Sequence, residues 1–404
     1  MDIRKFGDPS RLLILGNGFD LQAGLKSSFN DYYDSLESDA FSYFEEKINL
    51  LYNDDVGYYD SFIQALIGYF DWGPSKELKQ MIPSATLDLS FWEYLLVIKR
   101  CESKESNWAD VENNIQDFIC NNANSFLSLK QDLKKNNFDR FLNEENKVSS
   151  ILTSILLISF NLNCVSSSDQ IYSFLLDQLD EFEDNFKRYL TDQLKEETIQ
   201  NNYYRKSSRI LDVLEHSEQS NILTFNYTNP LQLNENTGKM ALTVSTRNVH
   251  GDLSNKIIIG IDQKAEELNQ ETELTKLRQP NNYIYLFSKT YRIMRLASDR
   301  QEKHILNKNI KSIVFYGHSL AAADYSYFQS IFDFYSIYDS DVTLVFYYSV
   351  YKENDREQIT KTQFDSIRKL LIEYGTTLDN KDHGKNLLHK LLLEDRLIIK
   401  ELNY

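Results

Sequence analysis

The 404-residue chain carries 60 acidic against 44 basic side chains, a formal charge of −16, and a field of that sign repels phosphate backbones, which excludes broad nucleic-acid binding. Hydrophobic residues at 42%, with 26 Tyr and 24 Phe, exclude a disordered polymer and point to a large buried core. The longest apolar run, residues 151–160, is half of what a membrane crossing needs, and the opening MDIRKFGDPS lacks the apolar centre of a signal peptide, so a cytoplasmic protein without membrane contact is expected.

In chain order, the first element is a strand over residues 12–15 (LLIL), ending in Gly16-Asn17-Gly18 and running into Phe19-Asp20-Leu21-Gln22. Strand, glycine turn and helix start are the parts that bring a backbone close to a pyrophosphate. The third glycine of the dinucleotide fingerprint is replaced by Leu21, so a simple tight turn stays open as the alternative.

About 200 residues of helical periodicity follow. Ile171, Phe174, Leu175, Leu179, Phe182, Phe186 and Leu190 recur at three- and four-residue steps, preceded by Ser167 and Gln170 in capping-box spacing, which predicts an amphipathic helix over 170–190. Similar patterns predict helices over 59–70, 91–99 and from 111 onward. Cys101, Cys120 and Cys164 are odd in number and form no CxxC pair, so buried free thiols are expected, with no disulfide framework and no metal site.

Continuous apolar runs then resume at 222–225 (ILTF), 257–261 (IIIGI), 313–316 (IVFY), 342–347 (VTLVFY) and 397–399 (LII). Continuous runs, unlike alternating ones, suit strands covered on both faces of a parallel sheet. The expected fold is α/β: a Rossmann-like, mostly parallel sheet interrupted by a large all-helical insertion. Residues 1–26 supply the first strand and glycine turn, 27–216 the helical insertion, and 217–404 the remainder of the α/β domain.

Three later strand ends carry polar groups. Thr224-Phe225-Asn226-Tyr227-Thr228 closes one run, and the carboxyl ends of strands in an open α/β sheet form its ligand crevice. Asn248-Val249-His250-Gly251-Asp252 offers a histidine able to act as a base near neutral pH, with Asp252 placed to orient it. Tyr316-Gly317-His318-Ser319-Leu320-Ala321 is one methyl group from a G-x-S-x-G nucleophile elbow, and Asp355 followed by His383 or His389 would complete a hydrolase triad on Ser319.

Taken in order, LLILGNGFDLQAGL, the Asn107–Glu112 stretch NWADVE, LTFNYT, NVHGDL and YGHSLAAADYSYF resemble the bacteriophage abortive-infection family AbiH, over about residues 11–330. That family in turn resembles the sirtuin-like NAD-consuming domains of antiphage systems. The resemblance implies a sirtuin-like fold and NAD as a substrate rather than a resident cofactor. Gly16, Asn17, Gly18, Phe19 and Asp20 would border the phosphates and ribose, with Thr224 beside them. Asn226 would align the ribose or its attacking water, His250 would be the general base, and Gly317, Ser319 and Asp324 would close the adenosine side. The zinc cysteines of sirtuin deacylases are absent from the chain. The implied partners are a small-molecule nucleotide, a phage-encoded trigger and further copies of the chain. A non-catalytic nucleotide-binding sensor, or a serine hydrolase using Ser319, is the alternative reading. Trp108, Asp110 and Glu112 read as a packing anchor with acids at a helix start, or as a carboxylate carried toward the substrate.

Overall fold

The structure, a computed structural model, describes residues 8–53, 57–83, 87–102, 108–135, 137–139, 141, 147–231, 242–261, 283–296, 304–320, 324–350, 353–379 and 383–403. The chain divides into two compact units: Met1–Ser27 with Arg188–Ile257 and Arg295–Tyr404, and Ser28–Lys187 with Ile258–Met294. The second helix of the first unit, Glu197–Glu215, thus groups with the sheet, although the sequence reading puts residues up to 216 in the helical insertion.

The first unit is built on six parallel strands: β1 (Arg11–Leu15), β2 (Ser220–Thr224), β3 (Thr243–Asn248), β4 (Ser312–Tyr316), β5 (Thr343–Tyr348) and β6 (Leu397–Glu401). Their order across the sheet is β3-β2-β1-β4-β5-β6. The chain therefore builds outward from β1 on one side, returns, and builds outward from β4 on the other. In a sheet of this kind the crevice at the carboxyl ends of the two central strands is where a ligand is accommodated. Leu15 and Tyr316, the last residues of β1 and β4, are register partners, so the two following turns start side by side.

The apolar runs form strands because both of their faces are covered. Leu12, Ile14, Ile313, Phe315, Leu344 and Phe346 alternate along their strands and share one cluster with Phe328 and Phe332 of the helix Tyr325–Phe334, with Leu370 and Leu371 of Arg356–Thr377, and with Leu391 of Leu387–Leu393. Leu13 and Leu15 face the other way and are equally buried. On that side lies Phe19 of the helix Asn17–Ala23, its ring edge-on to Tyr316 at 6.3 Å.

One expected strand is corrected. The run at 257–261 is buried but forms only isolated bridges, Gly251 with Ile257 and Ile261 with Ser288. The third strand is instead Thr243–Asn248, TVSTRN, a mainly polar edge strand of half-buried and exposed residues whose register slips between Ser220 and Asn221. An edge strand has one pairing partner and needs no apolar run, so hydrophobicity alone passes over it.

The second unit is helical, with helices including Phe29–Ser35, Asp39–Asn53, Tyr58–Leu66, Phe91–Glu102, Trp108–Asp117, Ala123–Lys134 and Lys147–Ile158. The helix expected over 59–70 is interrupted: Gly68 takes φ +83° and a separate turn, Tyr69–Trp72, follows. The long helix Ser168–Lys195 forms as its periodicity predicts, with Ile171, Leu175, Leu179, Phe182, Phe186 and Leu190 all buried. Its capping is shifted by one residue from a reciprocal box. Ser167 Oγ accepts the Gln170 N–H at 3.4 Å, while Gln170 Oε1 accepts the N–H of Ser166.

Buried charge joins this unit internally. Arg292 donates to Glu183 at 2.6 Å and to Asp180 at 2.7 Å, Glu183 Oε1 also accepts the N–H of Ile259 at 2.7 Å, and Lys289 pairs with Glu112 at 2.9 Å. Glu112 is thus paired within the helical unit, whereas the side chains of Trp108 and Asp110 lie outside the described residues. The expectation of buried thiols is corrected for two cysteines: Cys120 and Cys164 are exposed, the latter in a surface turn, Leu162–Cys164. Burial does push the Cys101 thiol up to about 12. No helix among the described residues is long and apolar enough to cross a membrane.

Candidate functional site

The turn after β1 and the turn after β4 lie backbone against backbone. Gly16 donates its N–H to Tyr316 O at 3.0 Å, Gly18 donates to Gly317 O at 2.8 Å, and Phe19 donates to Gly16 O at 2.9 Å. A Cβ on Gly16 would sit 2.5 Å from the His318 Cα, and one on Gly18 would sit 2.8 Å from the Gly317 Cα. Gly317 itself has φ +71°, and a Cβ there would sit 2.3 Å from the Phe19 nitrogen. These glycines are thus required by contact between two turns, whatever else they do. Phe19 is wholly buried and anchors the turn, and Asn17 accepts a hydrogen bond from Ser27 Oγ.

Asp20 lies one helical step further in, 2% exposed. Its carboxylate accepts from Tyr203 Oη at 2.8 Å and from Thr228 Oγ1 at 2.7 Å. Loss of solvation pushes the carboxyl up to about 6, with the bonds from Thr228, Tyr203 and Asn226 opposing. The same burial, together with the Asp20 charge, holds the Tyr203 phenol far above its ordinary value.

The end of β2 is tied into this cluster. Asn226 donates its Nδ2 to Gly16 O at 3.1 Å, and its own N–H goes to Thr224 Oγ1 at 3.1 Å. Asn248, at the end of β3, donates through Nδ2 to the carbonyls of Asn226 and Thr228. Val249 N–H then bonds Thr224 O at 2.9 Å, so His250 leaves the sheet beside Asn226. Gly251 takes φ +85°, and a Cβ there would sit 1.9 Å from Lys256 O, which explains the histidine-glycine pair as a forced turn.

His250 is 5% exposed, and the acid that faces it is not Asp252. Asp252 Oδ1 accepts the backbone N–H groups of Ser254 and Asn255 and closes its own loop. The facing acid is Asp324, whose Oδ1 stands 3.5 Å from His250 Nε2. Asp324 Oδ2 lies 3.2 Å from Nε2 of His318, a residue that sequence reading passed over in favour of its neighbour Ser319. Ser319 is exposed. The signal for His318 was present in the same tetrapeptide, a histidine directly after a buried strand, but the serine offered the more familiar motif.

Three aromatic rings enclose the pair. The Phe225 ring lies 4.7 Å from His318 and 5.6 Å from His250, Tyr327 is 5.7 Å from His250, and Phe328 is 4.9 Å from His318. Such edge-on contacts fix ring planes and keep water out. His318 Nδ1 accepts the N–H of Leu320 at 2.9 Å, held by the left-handed φ of +57° at Leu320. Its proton is therefore on Nε2 and donated to Asp324. A metal-bound histidine has the opposite arrangement, its second nitrogen carrying the proton, so the Leu320 N–H on Nδ1 turns Nε2 of His318 to donation rather than to metal ligation. Among the described residues no group of three or more His, Cys, Asp or Glu side chains is placed to hold a metal ion. A polar crevice lined by Asp339, Asp341, Lys390, Glu394 and Arg396 lies away from this chemistry, around the start of β5 and the residues that lead into β6.

Of the residues expected at the site, Gly16, Gly18, Asp20, Thr224, Asn226 and Gly317 come together in one hydrogen-bonded knot, and His250 and Asp324 face each other beside it. Asp355 and His389 sit at and beyond the ends of the helix Arg356–Thr377, while the His383 side chain lies outside the described residues.

A parallel α/β protein with a buried histidine–carboxylate–histidine row at its strand ends is the class these features define. The chain belongs to the family described as bacteriophage abortive infection AbiH, whose model matches residues 12–348. Membership associates it with abortive infection, the defence in which an infected bacterial cell stops supporting phage. No curated protein and no solved structure matches it.

Proposed function

We propose that this chain defends against phage by hydrolysing NAD to nicotinamide and ADP-ribose. The observation that carries the reading is His250, buried at a strand carboxyl end, faced by Asp324 and set beside Asn226. The strand order β3-β2-β1-β4-β5-β6 adds support, because it is the order of doubly wound dinucleotide-binding sheets.

In this reading the bond from the ribose anomeric carbon to nicotinamide nitrogen breaks, the pyridinium taking the bonding pair and leaving neutral. Water attacks the same carbon, its proton passes to His250, and ADP-ribose results with one proton released to solvent. Asn226, its Nδ2 locked on Gly16 O and Asp20, has its side-chain oxygen left to accept from a ribose hydroxyl or from that water. The aromatic enclosure of Phe225 and Tyr327 keeps competing water from the base. The amides of Gly16, Gly18 and Phe19 are donated within the protein, so the reading gives them no phosphate contact and assigns the turn to positioning.

The test is made in infected cells. NAD should collapse after infection in cells carrying the wild type, and remain in cells carrying His250→Ala or Asn226→Ala, which should also lose protection. Protection retained by both variants would refute the assignment.

A further inference from the structure

Asp324 occupies the N-cap position of the helix Tyr325–Phe334, where an aspartate ordinarily accepts a hydrogen bond from the first turn, yet it makes no such bond. Its two oxygens are turned to two imidazoles instead, Oδ2 to His318 at 3.2 Å and Oδ1 to His250 at 3.5 Å. The side chains of all three are largely withdrawn from water, at 15%, 5% and 6% exposure in the order Asp324, His318, His250.

His318 is fixed from both ends. The Leu320 N–H holds Nδ1, which places the proton on Nε2 and makes His318 a permanent donor to Asp324. Its ring is wedged between Phe225 and Phe328. A carboxylate held by one neutral imidazole keeps its charge for the other, and a charge 3.5 Å from a buried imidazole favours the protonated ring.

We infer that Asp324 is the electrostatic partner that steadies His250 once it has taken up a proton, and that His318 is a positioning residue that aims Asp324 at it. This rests on the reading of His250 as the base, and assigns Asp324 to the proton path rather than to the adenosine side of a nucleotide. Among the described residues, Tyr327 is a further titratable side chain against His250, its ring edge-on to it, while Asp252 on its own loop is engaged with Ser254 and Asn255.

The experiment is a histidine titration by NMR of the full chain, whose six histidines can be assigned by single substitution. His250 should release its proton about one pH unit lower or more in Asp324→Asn than in the wild type. His318→Phe, which keeps the packing but removes the donor, should lower it in the same direction, and His318→Gln, whose amide restores an N–H near the same place, should return it most of the way. Where nicotinamide release is measured, His318→Phe should lower kcat about tenfold with KM within about twofold, and His318→Gln should recover most of the loss. A His250 titration unmoved in Asp324→Asn would overturn the whole arrangement, and one moved by Asp324→Asn but not by His318→Phe would reduce His318 to packing. Absence of nicotinamide release from the wild type would count against the proposed reaction and leave the titrations to decide this arrangement by themselves.

Discussion

Gly18 donates its N–H to the carbonyl of Gly317 at 2.8 Å, across a gap too narrow for a side chain on either residue. The two glycines join the ends of β1 and β4, and through Gly16 they seat Asn226. Gly317→Ala should therefore cost about 3 kcal/mol or more, since it combines a left-handed φ with a Cβ 2.3 Å from a backbone nitrogen. Urea denaturation of the variant checks this, and a loss under about 1 kcal/mol would mean the turns separate easily.

Asp20 makes stability depend on pH. Its folded-state value of about 6 lies above the ordinary 3.8, so the folded chain holds this proton more tightly than the unfolded one. The stabilisation is complete below about pH 4 and is lost as pH rises through about 6, amounting to about 3 kcal/mol for this buried group. Between pH 4 and pH 7, the stability difference between wild type and Asp20→Asn should shift by that order in favour of the variant. Parallel denaturation curves at the two pH values measure it.

Ser319 is exposed while its neighbour His318 occupies the site. Ser319→Ala should leave nicotinamide release within about twofold of wild type, as should His389→Ala. Loss of nicotinamide release in Ser319→Ala alone would place Ser319 in the nucleotide site, and ester hydrolysis by the wild type that is lost in both variants would restore the serine-hydrolase reading.

In the helical unit, Glu183 is 0% exposed and receives Arg292 and the Ile259 N–H. Arg292→Met strands that carboxylate and should destabilise the unit by about 3 to 5 kcal/mol. Glu183→Gln, which keeps an acceptor for Ile259, should cost less. Fluorescence of Trp92, wholly buried in the same unit, follows the transition.

The strands that were legible in the sequence are those with both faces buried, such as LLIL and IVFY, because burial on two sides leaves an unbroken apolar run. TVSTRN was not legible, since an edge strand half in solvent has neither a run nor a clean alternation. The strand ends were also readable as polar groups on one edge of one sheet, and His250 and Asn226 stand out in the sequence for that reason. Their partners were not. Tyr203 lies 183 residues from Asp20, and Asp324 lies 74 from His250, separations at which no local pattern survives. Asp252, two residues from His250 in sequence, is not the facing acid because glycine at 251 reverses the chain and carries it away. His318 was hidden by the serine beside it.

The measurement that tests the central claim most directly is incubation of the purified, folded chain with NAD, with nicotinamide followed by chromatography and NAD binding by calorimetry in the same preparation, wild type beside His250→Ala. The account predicts that the wild type binds NAD and releases nicotinamide, and that His250→Ala binds NAD with at least a hundredfold slower release, on the order of what a positioned general base contributes. Neither binding nor release by the wild type, or equal release by both proteins, would contradict it.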